Sequence, residues 1–215
     1  MLRHLAALLA LLLAGPALAQ SLSLGPPPTV EYRADAVMET EAGRMPSKIW
    51  SAKGKERREL DLGGHVSTTI VRTDRKVVWT LMPEQRMYME NAFGEAGPAG
   101  AGQPPSYDIE QTPAGEEVVN GVPCKKTKVV MTDRASGTKL GGFFWTSKDG
   151  IVVKVDAVAR SEGSKTRFKL ELTNLQVGPQ PAHLFEIPAG WSKMELPAGM
   201  PGMGDMMKMM KGGRP

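Results

Sequence analysis

The chain has 215 residues, 27 Lys and Arg against 23 Asp and Glu, and a formal net charge of +4. So mild an excess, spread along the chain, gives no electrostatic footprint for nucleic acid. Cys124 is the single cysteine, which excludes an intramolecular disulfide and leaves stability to core packing.

The first nineteen residues read as a cleaved secretory leader. Arg3 gives a basic start, "LAALLALLLA" is an apolar run, and Ala17–Leu18–Ala19 offers a small-x-small cleavage site before Gln20. The apolar run is far shorter than the roughly 20 residues a membrane span needs. No second apolar stretch follows, so the expected location is the periplasm, with no transmembrane segment. The remaining length suits one domain. An extended Pro-containing segment at 20–29 is expected to lead into a β domain at 30–194.

The dominant period is two. "VEYRADAVME" puts Tyr32, Ala34, Ala36 and Met38 on one face, with Arg33, Asp35 and Glu39 opposite. "KIWSAKGKERRELDL" predicts two strands around a turn at Lys53–Gly54–Lys55. "STTIVRTDRKVVWTLMPEQRMYMEN" predicts three more, with turns at Thr73–Asp74–Arg75 and Pro83–Glu84–Gln85. From 94 to 105 the chain reads "GEAGPAGAGQPP", which has nothing apolar to bury and is expected to be a mobile loop. Asn120–Gly121 then supplies a strong hairpin signal. Three long strands follow, with turns at Asp149–Gly150 and in "SEGSK". On the last, Phe168, Leu170 and Leu172 oppose Arg167, Lys169 and Glu171. "HLFEIPAGW" suggests one helical turn. A methionine-rich flexible tail is expected at 195–215.

The fold class this implies is mainly β: a large curved antiparallel sheet of about ten or eleven strands, partly closed, with few or no helices. A two-sheet sandwich is the alternative.

Three stretches carry a family resemblance. They are "EYRADAVME", "VWTLMPEQRMYME", and the closing run from "NGVPCKKTKV" through "FFWTSKDGIVVKVDA" to "LTNLQVGPQPAHLFEIPAGWSKM". Together they resemble a secreted bacterial family of unassigned function in the lipoprotein-carrier superfamily, that of LolA and LolB. The resemblance spans about Glu31 to Met194 and implies a half-barrel whose concave face holds acyl chains. The carriers cover that face with helices, one of them ahead of the first strand. Here "SLSLGPPPT" precedes the first strand, and its prolines lack the amide donor a helix needs.

No catalytic motif is present. His65 lies in a Gly-rich turn and His183 in the closing link, and neither belongs to a nucleophile, phosphate-loop or zinc signature. No cofactor is called for, and the chain does not read as an enzyme. Cys124 begins a strand and is expected to pack as a small apolar residue, though Lys125 and Lys126 beside it could lower its thiol pKa. The apolar inward set Tyr32, Met38, Trp50, Trp79, Phe143, Trp145, Val153, Phe168 and Leu170 either lines a pocket for lipid or lipoprotein acyl chains or fills a core. Arg57, Arg58, Lys125, Lys126 and Lys128 could meet lipid phosphates or form a solvated face. In the tail, Met203, Met206, Met207, Met209 and Met210 offer soft thioethers that favour reduced copper. They could equally form an adaptable apolar contact. Three functions follow: carrying an apolar ligand, capturing copper through the tail, or serving as an envelope protein with a filled core.

Overall fold

The computed structural model of the protein describes residues 27–92, 107–134, 137–161 and 164–194. The leader at 1–19, the Gly/Pro segment at 94–105, the tail at 195–215 and its five candidate methionines lie outside them, as does most of 20–29.

The described residues build one open, curved antiparallel sheet of 12 strands. In chain order these are β1 (Tyr32–Thr40), β2 (Gly43–Ala52), β3 (Lys55–Asp61), β4 (Val66–Arg72), β5 (Val77–Met82) and β6 (Met87–Ala92). There follow β7 (Tyr107–Val119), β8 (Val122–Asp133), β9 (Lys139–Ser147), β10 (Val152–Ser161), β11 (Ser164–Val177) and the two-residue β12 (Ser192–Lys193). The twelfth strand is the one that alternation did not reveal. It is too short to show a period, and it pairs in parallel with β6. A single 3-10 turn at Ala182–Phe185 precedes it.

The spatial order is β12-β6-β5-β4-β3-β2-β1-β11-β10-β9-β8-β7. Two meanders therefore join through β1 and β11, which sit side by side in mid-sheet. The turns follow the chemistry of their residues. Asn120 and Gly121 both have positive φ, 48° and 81°, as a two-residue hairpin whose twist matches its strands requires. At Asn174 (φ 51°) two residues of β11, Asn174 and Leu175, stand opposite one on β1, Ala34, and the Asn174 amide donates to Asp35 across the bulge at 2.7 Å.

Directly paired residues share a face of the sheet. Neighbours on β9 serve to name the two faces. On the Phe144 face lie Val129, Met131, Phe144, Val155, Ala157, Leu170, Leu172, Ala36 and Ile49. Val129, Phe144 and Val155 are fully dry. Gly142 makes this packing possible. A Cβ there would collide with the Asp156 carbonyl oxygen and stand 2.6 Å from the Ala157 Cβ, so β9 and β10 approach more closely than any side chain allows. At the β7–β8 turn, Val119 and Cys124 join a cluster with Tyr32, Ala34, Ile151, Val153 and Leu172. There the Asn120 amide donates to the Leu172 carbonyl at 2.8 Å and to Glu171 at 2.9 Å, which ties the turn to β11.

Replacing Gly142 with Val is expected to destabilise the protein by about 2–3 kcal/mol, because backbone rather than a flexible side chain stands in the way. Thermal unfolding followed by circular dichroism measures it. An unchanged midpoint would show that the two strands separate without cost.

Candidate functional site

The nine apolar residues expected to line one pocket fall on both faces. Tyr32, Met38, Phe168 and Leu170 belong to the Phe144 face, whereas Trp50, Trp79, Phe143 and Trp145 stand on the opposite, Trp145 face, with buried Trp145 packed into the same cluster as Tyr32 and Val153. Phe143 is exposed, at 38%.

On the Trp145 face, the β2–β6 half is covered by the closing segment. Trp50, Arg57, Ile70, Trp79 and Glu90 form one cross-strand row over five strands. Phe185, 1% exposed, presses onto Ile70, Trp79 and Leu81, with Leu184, Ile187 and Trp191 around it. Arg72 fastens this lid. It is 3% exposed and grips Asp74 with two bonds of 2.8 Å. It also donates to the Phe185 carbonyl at 3.0 Å and to Glu186 at 2.6 Å. Arg57 donates to the Leu184 carbonyl at 3.1 Å, and Arg75 reaches Glu186. Arg72 and Arg75 both stack on Trp79, and Arg57 on Trp50. A guanidinium this dry is stable only because its donors are filled. The residues serve to bind the chain to itself.

The Phe144 face is chemically different. Across β9, β10, β11, β1 and β2 its register positions carry no charged side chain. Its centre is dry, while Met38, Met45, Leu140, Phe168 and Leu170 are half-buried along one margin. At the other border, on β3, Arg58 stands opposite Ile49. Its Nη2 pairs with Glu56 at 3.2 Å, but its buried Nε–H finds no acceptor among the described residues. Burial, with Glu56 second, pushes the Tyr32 hydroxyl pKa up. The face is thus an apolar surface with the Arg58–Glu56 ion pair at its edge.

The remaining candidates are placed as follows. Cys124 is buried, and its thiol pKa is raised by burial and then by Glu117. Cys124 thus packs in the core, as expected of a small apolar residue, and the alternative of activation by Lys125 and Lys126 fails: Glu117 is its direct strand partner, and the Lys126 ammonium is turned to Glu117 and over Phe143 and Trp145. Glu117 itself is held low by the Trp145 indole N–H and by Lys126. Exposed His65 lies 3.3 Å from Glu84, and His183 sits in the 3-10 turn. No group of three or more His, Cys, Asp or Glu is arranged for a metal among the described residues. No described helix is long and apolar enough to cross a membrane.

Residues 33–167 match the family model described as "Domain of unknown function (DUF4412)". The chain belongs to that family. No curated protein matches this DUF4412 chain. An uncharacterised conserved protein from Thermus thermophilus has a similar solved structure, at a TM-score of 0.51 and 12% identity, covering 83% of this chain and 94% of its own. A chain in the Pseudomonas aeruginosa MucA/MucB complex is 17% identical with a TM-score of 0.46, covering 72% of this chain and 54% of that one. These likenesses concern the fold.

The lid generates two predictions. Phe185→Ala should cost about 3–5 kcal/mol, the usual loss for a buried phenylalanine, measured by denaturant unfolding. Acid should also loosen the lid. Lys193, then the Trp79 indole, holds Glu90 below its ordinary 4.5, and Arg72 holds Asp74 below 3.8. Their contribution is therefore complete above the ordinary values and fades as pH falls through the lower folded ones. Tryptophan fluorescence should shift in that acid window, and Glu90→Gln should flatten the shift. An unaltered acid profile in the variant would refute the role of Glu90.

Proposed function

We propose that this protein is a non-catalytic binding protein of the cell envelope, exported by the leader at 1–19, which holds an apolar ligand on the Phe144 face. The ligand class is an acyl chain of a lipid or lipoprotein. The observation that carries this reading is the charge-free surface spanning five strands, half-open along Met38, Met45, Phe168 and Leu170. Unbranched thioethers at a margin adapt to chains of varied shape. Arg58, partly exposed beside Glu56, offers a guanidinium to an anionic head group at the opposite border. The resemblance to lipoprotein carriers supports the same reading.

A second reading rests on the dryness of Val129, Phe144 and Val155, which suits a core filled by the protein's own side chains. Native mass spectrometry of protein isolated from its own envelope separates the two. Bound lipid is expected, and Met38→Glu should lower its occupancy about tenfold or more, since the new carboxylate loses water against the ligand. Absence of lipid, with no uptake of a fluorescent fatty acid by the stripped protein, would establish the filled core instead.

A further inference from the structure

The lidless half of the Trp145 face carries its charge unevenly. Lys139, Arg160 and Lys165 are direct cross-strand partners on β9, β10 and β11, so three cations stand in one row. Like charges placed opposite one another in a sheet destabilise it. None of the three makes an ion pair among the described residues, and all are exposed. Ser161 and Ser164 flank Arg160 and Lys165 around an open depression at the β10–β11 hairpin. Exposed Lys128 stands on β8 beside Phe143, its direct partner on β9, and half-buried Val130 and Val158 fill the ground between Phe143 and the cationic row.

Most carboxylates of this face are already engaged, and exposed Glu110 is the one that borders the patch without an ion pair among the described residues. Asp156 is held by Arg167 at 2.7 Å, and Glu171 lies 3.6 Å from Lys154. On the neighbouring edge strand, Asp108 is taken by Arg134 and Glu117 by Lys126, while Glu110 faces Val130. Glu162, in the turn itself, lies outside the described residues.

We propose that this end of the Trp145 face docks on an anionic phospholipid bilayer, with Lys139, Arg160 and Lys165 against the head-group phosphates and Phe143 at the interface. The complementarity is both electrostatic and apolar. A cationic row with no ion pair among the described residues gains from phosphate, and an exposed aromatic among half-buried valines suits the boundary between head groups and acyl chains. The surface lies on the side of the sheet away from the Phe144 face, so its test does not depend on any ligand held there.

The test is co-sedimentation of the protein with vesicles of phosphatidylglycerol and phosphatidylcholine, and with phosphatidylcholine alone. Binding is expected only to the anionic vesicles and should weaken as salt is raised. Each cation near such a surface is worth roughly fivefold in affinity, so the combined Lys139→Gln, Arg160→Gln and Lys165→Gln variant should lose on the order of a hundredfold. Removing the same charge from exposed Lys48, Lys53 and Lys148 should cost little. Three results would overturn the proposal: no binding to anionic vesicles, an equal loss in the control variant, or displacement by inorganic phosphate at constant ionic strength. The last would assign the row to a small anion instead.

Discussion

A wide sheet with no helical layer among the described residues must find cover for its apolar side chains in its own chain, and on the β2–β6 half of the Trp145 face that cover depends on Arg72. Phe185 supplies the buried area against Ile70, Trp79 and Leu81. Arg72 ties down the segment that carries it, because its fork joins Asp74 to the Phe185 carbonyl and Glu186. Stacking on Trp79 holds the guanidinium plane against the row that Phe185 covers. A lysine could carry the charge but not the planar geometry. With the segment seated, β12 falls into place beside β6, and the sheet acquires its last strand.

The two halves of this face then differ in kind. From β2 to β6 the arginines are satisfied inwardly, by carbonyls, carboxylates and indoles of the same chain. From β8 to β11 several exposed cations have no carboxylate partner among the described residues. The same residue chemistry thus fastens the chain at one end and advertises charge at the other. The Phe144 face behind them is uncharged from β9 to β2. One sheet therefore offers an apolar surface and a polar one, separated only by its thickness.

Much of this was legible in the sequence. Period-two alternation placed Tyr32, Ala34, Ala36 and Met38 together, and it separated Phe168, Leu170 and Leu172 from the charges between them. Asn120–Gly121 and Asp149–Gly150 marked their turns. What alternation cannot say is how the face of one strand relates to that of the next, since each pattern has its own phase. Trp50 and Trp79 share a row, yet Tyr32 lies on the other side, and only register decides that. The bulge at Asn174 and the close pass at Gly142 shape that register and spacing without any compositional sign. Cys124 illustrates a related limit. Its sequence neighbours are lysines, but its spatial partner is Glu117, a strand away. The lid was visible only as a Phe-centred turn, because the arginines that hold it lie more than a hundred residues earlier.

The central position of β1 also shapes how the molecule comes into being. Its partner on one side, β2, follows immediately, but on the other side Arg33 meets Gln176, 143 residues along the chain. A chain made from its N-terminus can zip β1 to β6 early, yet one edge of β1 stays bare until nearly everything else exists. Contacts of such long range close slowly. Through that interval Ala34 and Ala36 sit on an open strand margin, where another chain's strand could pair as readily as β11. The seam between the two meanders thus closes late, and it is the first place where a partly made molecule would go astray.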